Sequence, residues 1–284
     1  MVFKKSIIFA HTIILLTTQN EKDMKRILLL TLVAFCVSQG INAQSKKLEK
    51  FGIFDHVGVG LSVGTDGIGF DLAAPLTNYV AVRAGFAAIP AFKFNKNIHV
   101  NDNGDAATYY NKVDIETKVK RFDAKLLFDF YPFKKGSFHL TAGAYIGDYT
   151  LATIRNTSPI LKNPADYGTA GLILGDYRIT TDKNGNAEIK VKTNGFKPYV
   201  GLGFGRAVTK KRFTVSCDFG VQFWGRPGVY AKAKKGLLGE PKEHRFKYTD
   251  LSDEDDKDLK DAIKTIEKIS VYPVLSIRLT GRLF

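Results

Sequence analysis

Residues 121–131 run Arg-Phe-Asp-Ala-Lys-Leu-Leu-Phe-Asp-Phe-Tyr, and this alternation constrains the fold more than any other stretch of the chain. Phe122, Ala124, Leu126, Phe128 and Phe130 fall at every second position, and Arg121, Asp123, Lys125 and Asp129 lie among the residues between them. Successive side chains of a strand point to opposite faces, so one face is apolar and the other carries four charges. In a water-soluble sheet the apolar face is the core. In a transmembrane barrel the apolar face meets lipid and the charges fill the lumen.

The N-terminal region sets the compartment. Residues 24–44 place Lys25 and Arg26 before an apolar run from Ile27 to Val37 and a small-residue site ending at Ala43. This is the pattern of a secretory signal, too short to span a membrane. Residues 1–43 are therefore assigned to the signal region, with translation expected to start at Met24 and cleavage after Ala43. Residues 44–56 follow as a short periplasmic segment. The whole chain has a formal charge of +14. Without residues 1–43 it keeps 37 Lys and Arg against 26 Asp and Glu, a net +11. A basic secreted chain meets acidic polysaccharide or lipid headgroups before nucleic acid, so no nucleic-acid partner is expected. Cys36 leaves with the signal, so the mature chain keeps Cys217 alone and can close no disulfide of its own. After Val37 no apolar run approaches the roughly 20 residues of a membrane helix. Any insertion must use strands.

The strands come in a rhythm. Residues 57–65 and 67–74 alternate around an Asp66-Gly67 turn signal. Residues 79–90, 121–131, 138–149, 196–208, 213–224 and 271–284 give six more strands. Long polar connections fall at 95–114, 150–194 and 225–270, and short turns at 75–78, 132–137 and 209–212. With the N-terminus in the periplasm, every long connection lies outside and every short turn after the first hairpin lies inside. Transmembrane barrels show this asymmetry. Strands of about ten residues suit a tilted crossing.

Residues 57–76 (Val57 to Leu76), 196–206 (Phe196 to Arg206) and the terminal Leu279 to Phe284 resemble eight-stranded outer-membrane barrels of Gram-negative bacteria, of the OmpA/OmpX/OmpW-like porin-family kind. The resemblance covers 57–284. It implies an all-β fold: an eight-stranded antiparallel transmembrane β-barrel with long extracellular loops, one loop carrying a short helix. It also implies outer-membrane localisation, lipopolysaccharide and membrane lipid as surroundings, and a terminal aromatic read by the barrel-insertion machinery. Leu275, Ile277, Leu279 and Leu283 share one face, which puts Phe284 on the other unless a bulge intervenes. Two further readings stay open: OmpW-like binding or passage of small apolar molecules, and a soluble secreted barrel with its apolar faces turned inward.

On this register the lumen holds Asp71, Arg83, Arg121, Asp123, Lys125, Asp129, Asp218 and Arg278, with Tyr145 beside them. Four acids face four bases, and in so narrow a barrel they are expected to pair and plug the interior. Phe122, Leu126, Phe128, Phe130, Phe219 and Val221 are expected to face lipid. Tyr79, Tyr131, Phe138, Phe196, Phe213, Phe223, Trp224 and Tyr272 suit interfacial girdles. No catalytic residues are assigned. Some eight-stranded barrels act on lipid A, but that needs a His with a Ser or acid near the outer leaflet, and His139 begins its strand at the opposite end. No cofactor or metal is assigned: residues 181–188 alternate like a calcium loop, but the glycine falls at the fourth position. Asn184-Gly185 reads better as the turn of a hairpin between residues 177–181 and 187–191 that extends above the membrane. The last long connection carries a basic surface loop, Lys232, Lys234, Lys235, Lys242, Arg245 and Lys247. A helix over 252–269 follows, capped by Ser252 with Leu259, Ala262, Ile263 and Ile266 as its apolar stripe. It is expected to fold over the barrel mouth or to bind a partner or surface polysaccharide.

Overall fold

The computed structural model describes residues 56–99, 112–133, 136–167, 171–174, 177–208, 212–235, 240–250 and 257–283. Its strands are β1 (Gly58–Gly64), β2 (Gly67–Pro75), β3 (Val80–His99), β4 (Lys112–Phe130), β5 (Phe138–Gly147), β6 (Thr150–Asn156), β7 (Gly171–Leu174), β8 (Tyr177–Thr180), β9 (Glu188–Lys192), β10 (Phe196–Phe204), β11 (Phe213–Phe223), β12 (Gly228–Lys235), β13 (Lys242–Phe246) and β14 (Val271–Arg282). One α-helix, α1 (Lys257–Lys268), precedes β14. Eight strands close into an antiparallel ring, β1-β2-β3-β4-β5-β10-β11-β14, with β14 returning to β1. Closure leaves no unpaired edge within the ring.

The barrel faces the way the alternation requires for a polar lumen. Along β4, Arg121, Asp123, Lys125, Leu127 and Asp129 are buried inside, while Phe122, Leu126, Phe128 and Phe130 are exposed outside. On β11, Ser216, Asp218 and Gln222 are buried inside, which puts Phe219 and Val221 on the outward face. Leu61, Val63, Ile68, Leu72, Leu140, Val200 and Leu202 are also exposed on the outer wall. A soluble ligand-binding barrel needs the opposite orientation.

Three of the eight aromatics expected at girdles point inward instead. Tyr131 is 2% exposed and Trp224 8%. Trp224 stacks on Tyr272 at 4.4 Å between centroids. Each of these three occupies an inward position of the alternation, just past or at a strand end. Tyr79, Phe196, Phe213 and Phe223 remain exposed outside. Leu279 faces outward from β14, and Phe284 lies outside the described residues.

The connection expected as a loop at 95–114 is strand at both of its described ends, and residues 100–111 lie outside the described residues. β3 runs on to His99 and β4 begins at Lys112, joined in register beyond an irregularity between Ile89 and Phe92. Val113, Ile115 and Val119 line the inner face of β4 here, and the charged outer face, Asp114, Glu116, Lys118 and Lys120, makes the stretch read as a polar connection. β6 joins the upper part of β4, β9 joins β6, and β12 joins β9, so the sheet continues above the ring. The Asn184-Gly185 turn forms, with Gly185 at φ +74°, a conformation glycine adopts without strain. The hairpin does not: β8 and β9 both pair with β12, at its residues 233–235 and 228–231, and not with each other. The Asp182 carboxylate caps this turn by accepting the Asn184 and Asn186 backbone N–H groups.

α1 covers the described part of the expected helix; Ser252 and Asp253–Asp256 lie outside the described residues. Its Ile263 is 2% exposed and packs with Val113, Ile179, Ala231, Ala233 and Phe246 on the inner face of the upper sheet. Ile263 of the apolar stripe thus serves a second small core. The basic loop set is split by strand alternation. Lys232 sits opposite Glu243 on the outer face, whereas Lys242 sits opposite buried Ala233 and Lys235 opposite Tyr177 on the inner face.

Candidate functional site: the charged lumen

The ring brings all eight expected lumen charges together. Asp71, Asp123 and Asp129 are fully buried, and Arg83, Arg121, Lys125, Asp218 and Arg278 nearly so. They form three groups. Nearest the short turns, Arg83 donates from Nη2 to Asp129 at 2.7 Å and from Nη1 to Asp218 at 2.9 Å. Arg83 stands on β3 and Asp218 on β11, four strands round an eight-stranded ring, so this pair spans the full width. Thr141 donates to Asp129 at 2.8 Å, and His139 Nε2 lies 2.9 Å from Asp218. In the middle, Asp71 meets Arg278 at 2.9 Å and Lys125 at 3.3 Å, while Arg278 Nε donates to Ser216. Nearest the upper sheet, Asp123 meets Lys197 at 2.7 Å and Arg121 at 2.9 Å. Arg121 also lies over the stacked rings of Trp224 and Tyr272, 5.6 and 5.1 Å from their centroids, a cation–π arrangement.

Lys197, with no exposed surface, is a fifth lumen base outside the four-against-four expectation. The alternation of residues 196–204 already put it on the inward face, beside Tyr199. Asp66, 3% exposed in the β1–β2 turn, is a fifth acid at the upper rim. Burial pushes its carboxyl above the usual range, against the opposing pull of Lys125 and Arg121.

Glycines on the lumen wall make room for long side chains. A Cβ at Gly60 would meet Asp71 and Arg278, and one at Gly201 or Gly220 would meet Tyr199. Beside Arg83, Lys125, Tyr145, Tyr199 and Arg278 lies a cavity of about 10 Å³, room for about one water. At the short-turn end Ala73, Ala81, Tyr131, Ala207 and Val208 pack into one buried cluster. Arg206 lies 4.8 Å over the Tyr131 ring and donates to the carbonyl of Gly136, and the Ala207 N–H donates to the Tyr131 hydroxyl.

Among the described residues, Asp129, His139 and Asp218 form the one cluster with metal-ligand spacing. The guanidinium of Arg83 already bridges its two carboxylates, so the cluster holds a cation of its own. His139 belongs to this group at the short-turn end. His244 is elsewhere, stacked on Tyr177 at 3.9 Å.

The chain is thus a closed eight-stranded antiparallel β-barrel with a charge-lined interior and an apolar outer wall. No protein-family model matches it, and no curated protein matches it. Among solved structures, Acinetobacter baumannii CarO2 is similar with a TM-score of 0.45 and 19% identity, over 81% of this chain and 99% of that one. Acinetobacter baumannii CarO is similar with a TM-score of 0.41 and 16% identity, over 79% of this chain and 96% of that one.

Proposed function

We propose that this chain is a non-enzymatic outer-membrane barrel of a Gram-negative envelope, with a structural or surface-interaction role and a lumen plugged by its own charge pairs. One observation carries the membrane reading. The outward side chains of β4 are Phe130, Phe128, Leu126, Ala124 and Phe122, and then, without a break in the strand, Lys120, Lys118, Glu116 and Asp114. From Phe122 to Phe130 the strand rises roughly 26 Å at about 3.3 Å per residue. A tilt of about 40° leaves roughly 20 Å of height, close to the apolar band of about 25 Å of outer-membrane barrels. In water so broad an exposed apolar wall is an aggregation surface.

The plug is supported by the Arg83–Asp218 pair across the full width and by the packed cluster at the short-turn end. The test is refolding of the full chain into phospholipid vesicles. A membrane barrel floats with the vesicles and shields its strands from protease. A monomer that stays in the aqueous fraction without detergent overturns the proposal.

A further inference from the structure

We infer that the lysines directly above the apolar band bind phosphate groups of the outer-leaflet glycolipid, an interaction that rests on the membrane reading above. Lys120 stands two residues above Phe122 on the same face of β4, and Lys118 two further. At about 3.3 Å per residue and a tilt of about 40°, they lie roughly 5 and 10 Å above the band. A headgroup layer of about 5–8 Å on each side of the hydrocarbon takes in the height of Lys120, with Lys118 just above it. Both lysines are exposed, and among the described residues neither makes an ion pair.

The neighbouring strands add to the charge. Lys118 sits directly opposite Lys93 on β3, and opposite Thr153 on β6, which in turn sits opposite Lys190 on β9. Like charges facing each other across strands destabilise a sheet unless something anionic meets them. Glu116 reaches Lys93 at 2.9 Å and Glu188 reaches Lys190 at 2.7 Å, which leaves Lys118 and Lys120 for an external anion. One row nearer the band, Lys192 lies over the rings of Tyr149 and Tyr230, and Tyr149 is exposed. Lys93 of the facing pair is met by Glu116, so an external phosphate would meet Lys118 together with Lys120.

The test uses the full chain in phosphatidylcholine vesicles with or without bisphosphorylated lipid A, read by the urea midpoint and by labelled lipid A retained on the purified barrel. The expected result is a higher midpoint with bisphosphorylated lipid A than with its dephosphorylated form. The double variant Lys118→Gln/Lys120→Gln should lose that rise and retain roughly tenfold less lipid, while Lys242→Gln/Lys247→Gln keeps both. A wild type that inserts but responds equally to both lipids overturns the inference alone, as does an equal rise from soluble pyrophosphate. A chain that never inserts overturns the membrane reading with it.

Discussion

Arg83 and Arg121 are both buried lumen arginines, yet their removal has unequal consequences. Arg83 is the shared partner of Asp129 and Asp218. Replacing it with Ala leaves Asp129 with Thr141 and Asp218 with His139, and the loss should approach the roughly 3–5 kcal/mol of a broken buried pair. Arg121 looks equally necessary from the sequence, as the neighbour of Asp123. In the structure Asp123 keeps Lys197 when Arg121 is gone, and Arg121 Nη2 makes no hydrogen bond among the described residues. Arg121→Ala should therefore cost clearly less than Arg83→Ala. Urea unfolding in vesicles, followed by the single tryptophan, Trp224, ranks the two; a reversed order contradicts the assigned network. Because Trp224 itself packs near Arg121, circular dichroism should accompany the fluorescence for that variant. On the outer wall, Leu126→Arg should cost roughly 2–4 kcal/mol in a membrane. Lys118→Leu, above the band, should change stability far less. Equal effects would remove the evidence for a lipid-facing wall.

At the scale of elements, the β1–β2 turn is where pH should act. Asp66 is buried there, and burial raises its carboxyl above 3.8 in the folded chain. The folded state thus binds the proton more tightly than the unfolded state does. Its contribution to stability is full below the unfolded pKa and is lost as pH rises through the folded one. Asp66→Asn should therefore be more stable than wild type at neutral pH, with the difference vanishing at acid pH; a variant weaker than wild type at pH 7 would count against this assignment. The β1–β2 turn, like the other barrel turns, was legible from Asp66-Gly67 and the flanking period of two. The upper sheet was not. β4 before Arg121 does alternate, with Val113, Ile115 and Val119 on the inner face and Asp114, Glu116, Lys118 and Lys120 on the outer, but its polar outer face and the irregularity between Ile89 and Phe92 make the stretch read as a connection. β8 and β9 were legible as strands flanking Asn184-Gly185, but their pairing with β12 was not, and β12 and β13 find their partners only in space. α1 was legible from its 3.6-residue stripe, but its packing surface was not. Lys197 was readable from the same alternation that gave Asp218, and only its isolation among glycines and aromatics hid it.

For the whole molecule, the question is whether a polar interior is also a passage. On the proposed plug, two barriers lie in series. The Arg83–Asp218 pair crosses the ring, braced by Asp129, Thr141 and His139. Below it Ala207, Val208 and Tyr131 fill the short-turn end, and Arg206 ties the turns together there. The cavity between the charge groups is about 10 Å³, too small for a hydrated ion. Opening a path would mean separating buried opposite charges, at several kcal/mol each. The refolded wild type in a planar bilayer should therefore show no steady conductance, and Arg121→Ala should stay silent too, because both barriers lie below it. Arg83→Ala combined with Ala207→Gly and Val208→Gly removes both barriers, and it should conduct if any variant does. Reproducible channels from the intact protein would instead mean that the charge pairs line a route, and the barrel would have to be read as a transporter.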